Sequence, residues 1–151
     1  MAELGFSISN IVDAISVNVD CALNSINDNV AIYSENIEQG FDAPCVYIKL
    51  ISHDQNKLIN QRWIRRYHFD VQYFPDSENA RVAEMENVAD ILVPILGDIS
   101  NGYYKYHGEK ISTEIVDDVL HIFVTYFVSV YQQQTPIDKM ATIELSQEEK
   151  L

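Results

Sequence analysis

The feature that most limits how this chain folds is a change of period at Pro75. Up to that proline, the stretch "RWIRRYHFDVQYF" alternates. Trp63, Arg65, Tyr67, Phe69, Val71 and Tyr73 share one face of a strand, and Arg62, Ile64, Arg66, His68, Asp70, Gln72 and Phe74 share the other. Pro75 has no amide to give to a ladder, so the strand stops there. Beyond it Val82, Met85, Val88, Ala89, Ile91, Leu92, Ile95 and Leu96 recur at helical spacing, with Asp76 or Ser77 as the cap. The spacing predicts a helix over 78–96, with Pro94 bending or shortening its last turn and Gly97 ending it. A strand that turns straight into an amphipathic helix has one economical way to bury both apolar faces, which is to lay the helix on its own sheet.

The flanking segments fit the same plan. Ile11, Val12, Ile15, Val19, Ala22, Leu23 and Ile26 predict a first helix over 9–27, opened by Ser7 or Ser9. Ala31 to Tyr33 reads as a short edge strand. After Pro44, Val46, Ile48 and Leu50 oppose Cys45, Tyr47 and Lys49 in a half-buried strand, which the turn "SHDQNK" joins to the arginine-bearing strand. The remainder reads as a meander of "YYKYH", "EKISTEIV" and "VLHIFVTYFVSVY", with turns at Asn101-Gly102, His107-Gly108 and Asp117-Asp118. In the last strand Leu120, Ile122, Val124, Tyr126, Val128 and Val130 share one face, and Phe123, Phe127 and Tyr131 the other. Both faces should therefore be covered, one by the helices and the other by protein of some kind. The fold class is α+β: a mostly antiparallel mixed sheet carrying two main helices, in the order α-β-β-β-α-β-β-β. Residues 1–131 are expected to form one domain and 132–151 a polar C-terminal arm.

Composition narrows the function. The chain has 23 acidic and 10 basic residues, a net charge of −13, which opposes broad nucleic-acid binding because that affinity comes mainly from neutralised phosphates. Three of the ten basic residues, Arg62, Arg65 and Arg66, nevertheless crowd one end of one strand. They suit ion pairs within one subunit, or an ion-pair seam between subunits where a planar guanidinium grips a carboxylate two-fold. Tyr103, Tyr104 and Tyr106 are an aromatic interface patch or ordinary strand residues. Arg62, Arg65, Arg66, Tyr103 and Tyr104 are the candidate subunit-interface residues.

Reactive constellations are sparse. Cys21 and Cys45 form no CxxC pair and read as small core residues. No phosphate loop, HExxH or GxSxG motif occurs, and no cofactor or metal is expected. The best enzymatic alternative is a divalent-metal site built from His68, Asp70 and His121, with Asp118 as a further ligand; histidines and aspartates satisfied on a solvated sheet face explain the same pattern. The start "MAELGFSISN" does not read as a signal peptide and no run is apolar enough to span a bilayer, so no membrane partner is expected.

Four stretches, Ile32-Tyr33 followed by Glu35, Pro44-Cys45-Val46-Tyr47, "RRYHFDVQYFP" and "DDVLHIFVTYFV", resemble the tail terminator family of contractile-tailed bacteriophages and phage-tail-like particles. They run from about residue 30 to 128, and Asp117-Asp118 stands where such proteins tend to carry Asp-Gly. The resemblance implies a structural, non-enzymatic virion protein, made in the host bacterial cytoplasm and placed at the head-proximal end of the tail. There it would form a hexameric ring, stop polymerisation of the tail tube protein and offer a joining surface for the head. Sheath and head-tail connector proteins are further implied partners, and DNA would only pass through the lumen, helped by an acidic wall that denies it phosphate contacts. Another head-tail connector or tail-assembly factor is the neighbouring alternative.

Overall fold

The computed structural model describes residues 7–24, 30–35, 42–102 and 104–131. Its elements are α1 (Ile8–Asn24), β1 (Ala31–Tyr33), β2 (Cys45–Lys57), β3 (Arg62–Phe74), α2 (Arg81–Leu96), β4 (Asp98–Ser100), β5 (Lys105–Val116) and β6 (Val119–Tyr131). The expected order and α+β class hold. The strands form one sheet in the order β1-β2-β3-β6-β5-β4, with β1 parallel to β2 and every other neighbour antiparallel. The expected C-terminal arm at 132–151 and Tyr103 lie outside the described residues, as do positions 25–27 of the first expected helix.

Both helices lie on one face of this sheet. Ile11, Ala14, Ile15, Val19 and Leu23 of α1 and Met85, Val88, Leu92 and Leu96 of α2 are buried there. They meet Tyr67, Phe69, Val71 and Tyr73 of β3 and Leu120, Ile122, Val124, Tyr126 and Val128 of β6, all in one core. This is the face that alternation picks out, and register explains it: Phe69 stands opposite Val124 and Val71 opposite Ile122. Ser7 starts α1, its hydroxyl accepting the Asn10 amide at 3.1 Å. Asn18 then ties that helix to β4 through the Ser100 carbonyl at 3.0 Å.

Three local expectations are corrected. "SHDQNK" is not the hairpin turn. The sheet continues to Lys57, because a register shift between Leu50 and Ser52 restores the pairing, with Asp54 opposite Arg66. The turn is Leu58 to Gln61, where Asn60 and Gln61 both take positive φ (59° and 64°). His107-Gly108 is not a turn either. Lys105 to His107 of "YYKYH" and the whole of "EKISTEIV" belong to one strand, β5, while the third strand of the meander is the unanticipated β4. Finally, Cys21 is exposed, whereas Cys45 is buried at the start of β2, where burial and the nearby Asp42 charge push its thiol up to about 11.

Gly108 is needed for closeness rather than for bending. Its amide donates to the Gly97 carbonyl at 2.6 Å, and a Cβ there would stand 2.9 Å from that same oxygen. Gly97 itself is helical (φ −62°, ψ −38°), so α2 runs on past Pro94 and passes directly into β4. The neighbouring carbonyl, Leu96, accepts the buried Tyr126 hydroxyl at 2.7 Å. The helix end is thus fastened to both β5 and β6.

Two substitutions check this packing by chemical unfolding. Phe69→Ala should cost about 3–5 kcal/mol, since Phe69 is fully buried at the sheet centre. Gly108→Ala should cost about 1–3 kcal/mol, because backbone rather than a flexible side chain must move. Wild-type stability in either variant contradicts the assignment.

Candidate assembly surface

Among the described residues no helix lies on the second face of the sheet, and its polar groups nonetheless pair with one another. Asp70 sits in the middle, 6% exposed. Its carboxylate contacts His121 Nδ1 at 3.0 and 3.3 Å and accepts the Gln72 amide at 3.0 Å. The His121 ring stacks on Phe123, with centroids 5.9 Å apart. One step along the strand, His68 bridges Thr125 (2.9 Å) and Asp54 (3.0 Å). The constellation of His68, Asp70 and His121 is therefore split into two separate histidine–aspartate pairs. Asp118 is engaged elsewhere, by Arg81 at 3.2 Å. Among the described residues no three His, Cys, Asp or Glu side chains converge as a metal site requires.

The arginines separate as well. Arg66 grips Glu109 two-fold, Nε to Oε1 at 2.9 Å and Nη2 to Oε2 at 3.2 Å. Glu109 is the extra residue of the β5 irregularity between Gly108 and Lys110, so its side chain reaches Arg66 across the intervening β6. The hydrogen bond from Arg66 holds the Glu109 carboxyl below its ordinary range and raises the guanidinium in turn. Arg66 thus realises the ion pair within one subunit. Arg65 instead donates to the neutral Gln55 at 2.5 Å on the opposite side of the same strand, and Arg62 is exposed at the strand start. Tyr104 is exposed beside the β4–β5 connection, its amide held by Asn101 at 2.9 Å; Tyr106 is a buried core residue. Arg62, Arg65 and Tyr104 therefore remain as outward-facing candidates.

Sequence reasoning has this hairpin but sets its turn too early, and so misses the projecting tip beside Arg62 and Arg65. Every residue from 51 to 62 is exposed, including the apolar Ile51, Leu58 and Ile59, the last at 75%. Large apolar side chains at a projecting tip suit contact with protein better than contact with water. The apolar cluster at Leu58-Ile59 was the available signal, masked by reading the turn too early.

One cleft, of about 310 Å³, lies between α2 and β3, lined by Leu23, Pro44, Tyr73, Glu84, Val88 and Ile91 among others. Its carboxylate is fully occupied: Glu84 accepts the Tyr73 hydroxyl (2.5 Å) and the amides of Asp76 (3.1 Å) and Ser77 (2.9 Å). Burial pushes Glu84 up, but these donors and the Arg81 charge outweigh it and leave the group lowered. The carboxylate staples the strand-to-helix passage at Pro75.

The fold is that of an α+β protein with both helices on one face of a six-stranded sheet. The chain belongs to the phage tail terminator protein family, whose model matches residues 10–138. It is therefore a tail structural protein of a virion, associated with other tail components, in a family that is structural and not enzymatic. No curated protein matches the sequence. Among solved structures it is similar to a chain of the virion of a native gene transfer agent particle, at 16% identity and TM-score 0.45, covering 84% of this chain and 99% of that one. A second solved chain shares 12% identity and a TM-score of 0.38, covering 85% of this chain and 99% of that one. No described helix is long and apolar enough to cross a membrane.

Glu84 supplies a pH test. Because its folded pKa is depressed, its contribution is present above the unfolded carboxylate value and is lost as pH falls through the folded one. Glu84→Gln should cost about 1–3 kcal/mol in urea unfolding at pH 7, and less at pH 3. A cost that stays constant across that range contradicts the staple.

Proposed function

We propose that the protein caps the head-proximal end of a tail tube as a hexameric ring, ends polymerisation of the tube protein and presents a joining surface to the head. Its family membership over residues 10–138 carries this reading. The tube is its first partner, the head-tail connector lies above, and sheath adjoins where the tail is contractile. DNA is not held by the ring; it passes through. The helix-free face matches its charges, Lys49, Arg66 and Lys110 standing among Asp54, Asp70, Glu109 and Glu114, which leaves no bare basic stripe for phosphates. Most of the excess acid in the net charge of −13 lies elsewhere.

Copies of an acidic subunit repel one another, so a ring needs places where the sign reverses. Arg62 and Arg65 are such places. Among the described residues neither has a carboxylate partner in its own subunit, and both stand at the projecting hairpin. They form the seam with a neighbouring copy or with the tube, and Tyr104 lies at the same end of the sheet.

Arg62→Glu and Arg65→Glu made together test this. Unfolding of the isolated subunit should change by less than about 0.5 kcal/mol, as for surface positions. The ring, measured by native mass in multiples of 17.3 kDa, should be lost, and tails should vary in length. A double variant that still caps tails at normal length removes these arginines from the seam.

A further inference from the structure

Among the described residues the sheet has two long bare edges. On one side β1 pairs only with Cys45–Tyr47 of β2 and leaves 48–57 of that strand without a described neighbour. On the other side β4 pairs only with Lys105–His107 of β5, the Gly108 amide bonds to Gly97, and 109–116 are left without one. These are also the most exposed strand segments in the molecule: 51–57 and 112–116 are exposed throughout, with Ile51, Ile115 and Val116 among them. Open edges of this length are templates for another strand, and proteins that stay alone blunt them.

From these edges we infer that consecutive copies join by sheet extension, the β5 edge of one copy pairing with the β2 edge of the next; this rests on the ring reading and names its seam. Direction permits it. Through the antiparallel steps β2 to β3 to β6 to β5, the strands at the two edges run oppositely, so copies facing the same way around an axis meet antiparallel. The contact is front to back, the kind that closes into a ring.

Register permits it too. Pairing at equal height is blocked, because β4 already occupies the β5 edge at 105–107, level with the far end of β2. The first register clear of β4 that keeps both helix layers on one side sets Lys57 opposite Glu109 and Ser52 opposite Glu114. Ser52 shares the helix-free side with His68, and Glu114 shares it with His121. Lys57 lies four residues beyond His53, and His53 shares a row with Tyr67, Tyr126 and Gly108, next to Glu109. The slip is thus between four and five residues, about 15 Å at a strand rise of about 3.3 Å. Across four strands spaced about 4.8 Å it inclines them by about 40°, within the roughly 35–45° tilt at which a sheet closes on itself. The short strands β1 and β4 act as stops that set the slip.

The test places Ser52→Cys and Glu114→Cys together in a Cys21→Ser background, alongside each single variant, and treats the assembled protein with a short thiol cross-linker. A ladder of covalent multimers is expected from the double variant and none from the singles. Hydrogen exchange on the unmodified chain covers a variant that fails to fold: amides within 50–57 and 109–116 should slow by about tenfold or more on assembly. A ring of normal mass with no ladder and unchanged exchange at both edges overturns the sheet-extension seam while leaving the ring reading standing. Absence of any ring, alone or on tails, overturns both.

Discussion

The pairing of β3 with β6 governs the rest of the structure. The two strands face each other over twelve residue pairs, from Arg62 with Tyr131 to Tyr73 with Leu120. On one side this brings Tyr67, Phe69 and Val71 against Tyr126, Val124 and Ile122, a surface that only helices can cover. On the other side the same register brings Asp70, Gln72 and His68 beside Phe123, His121 and Thr125, so that His68 meets Thr125 and Asp70 meets His121 across the strand gap, while Gln72 donates to Asp70 along its own strand. One register thus decides both where the core lies and why His68 and His121 are held in separate pairs, His68 with Thr125 and Asp54 and His121 with Asp70, rather than gathered at one point.

Much of this was legible because period survives in the sequence wherever one face is buried. The helices, the central strands, the Asp117-Asp118 turn and the tail-terminator resemblance all came from segments with a single dominant period. The errors share a cause. At Leu50/Ser52 and at Gly108/Lys110 the ladder takes an extra residue, so alternation reverses mid-strand and looks like a break. The reading ended β2 at the first irregularity and cut β5 at the second. Gly108 looked like a turn residue because closeness to Gly97 and turning demand the same absence of a side chain. The arginine cluster was seen, but not its division. Which guanidinium meets Glu109, 43 residues away, depends on the bulge that brings that carboxylate across β6.

The described structure also separates stability from assembly. Fastenings inside the subunit, Tyr126 to Leu96, Gly108 to Gly97 and Tyr73 to Glu84, gather around α2. Exposed apolar groups gather at the hairpin of β2 and β3 and along the sheet edges, and at that hairpin Arg62 and Arg65 have no carboxylate partner among the described residues. In a subunit arranged this way, the surfaces left open to partners are ones that its own core does not use.

The most direct measurement is imaging of intact particles with this protein located in the density. The account predicts six copies in a closed ring, one layer thick, where the tail tube meets the head. Copies spread along the tube, or a single copy bound at another point of the particle, would contradict it.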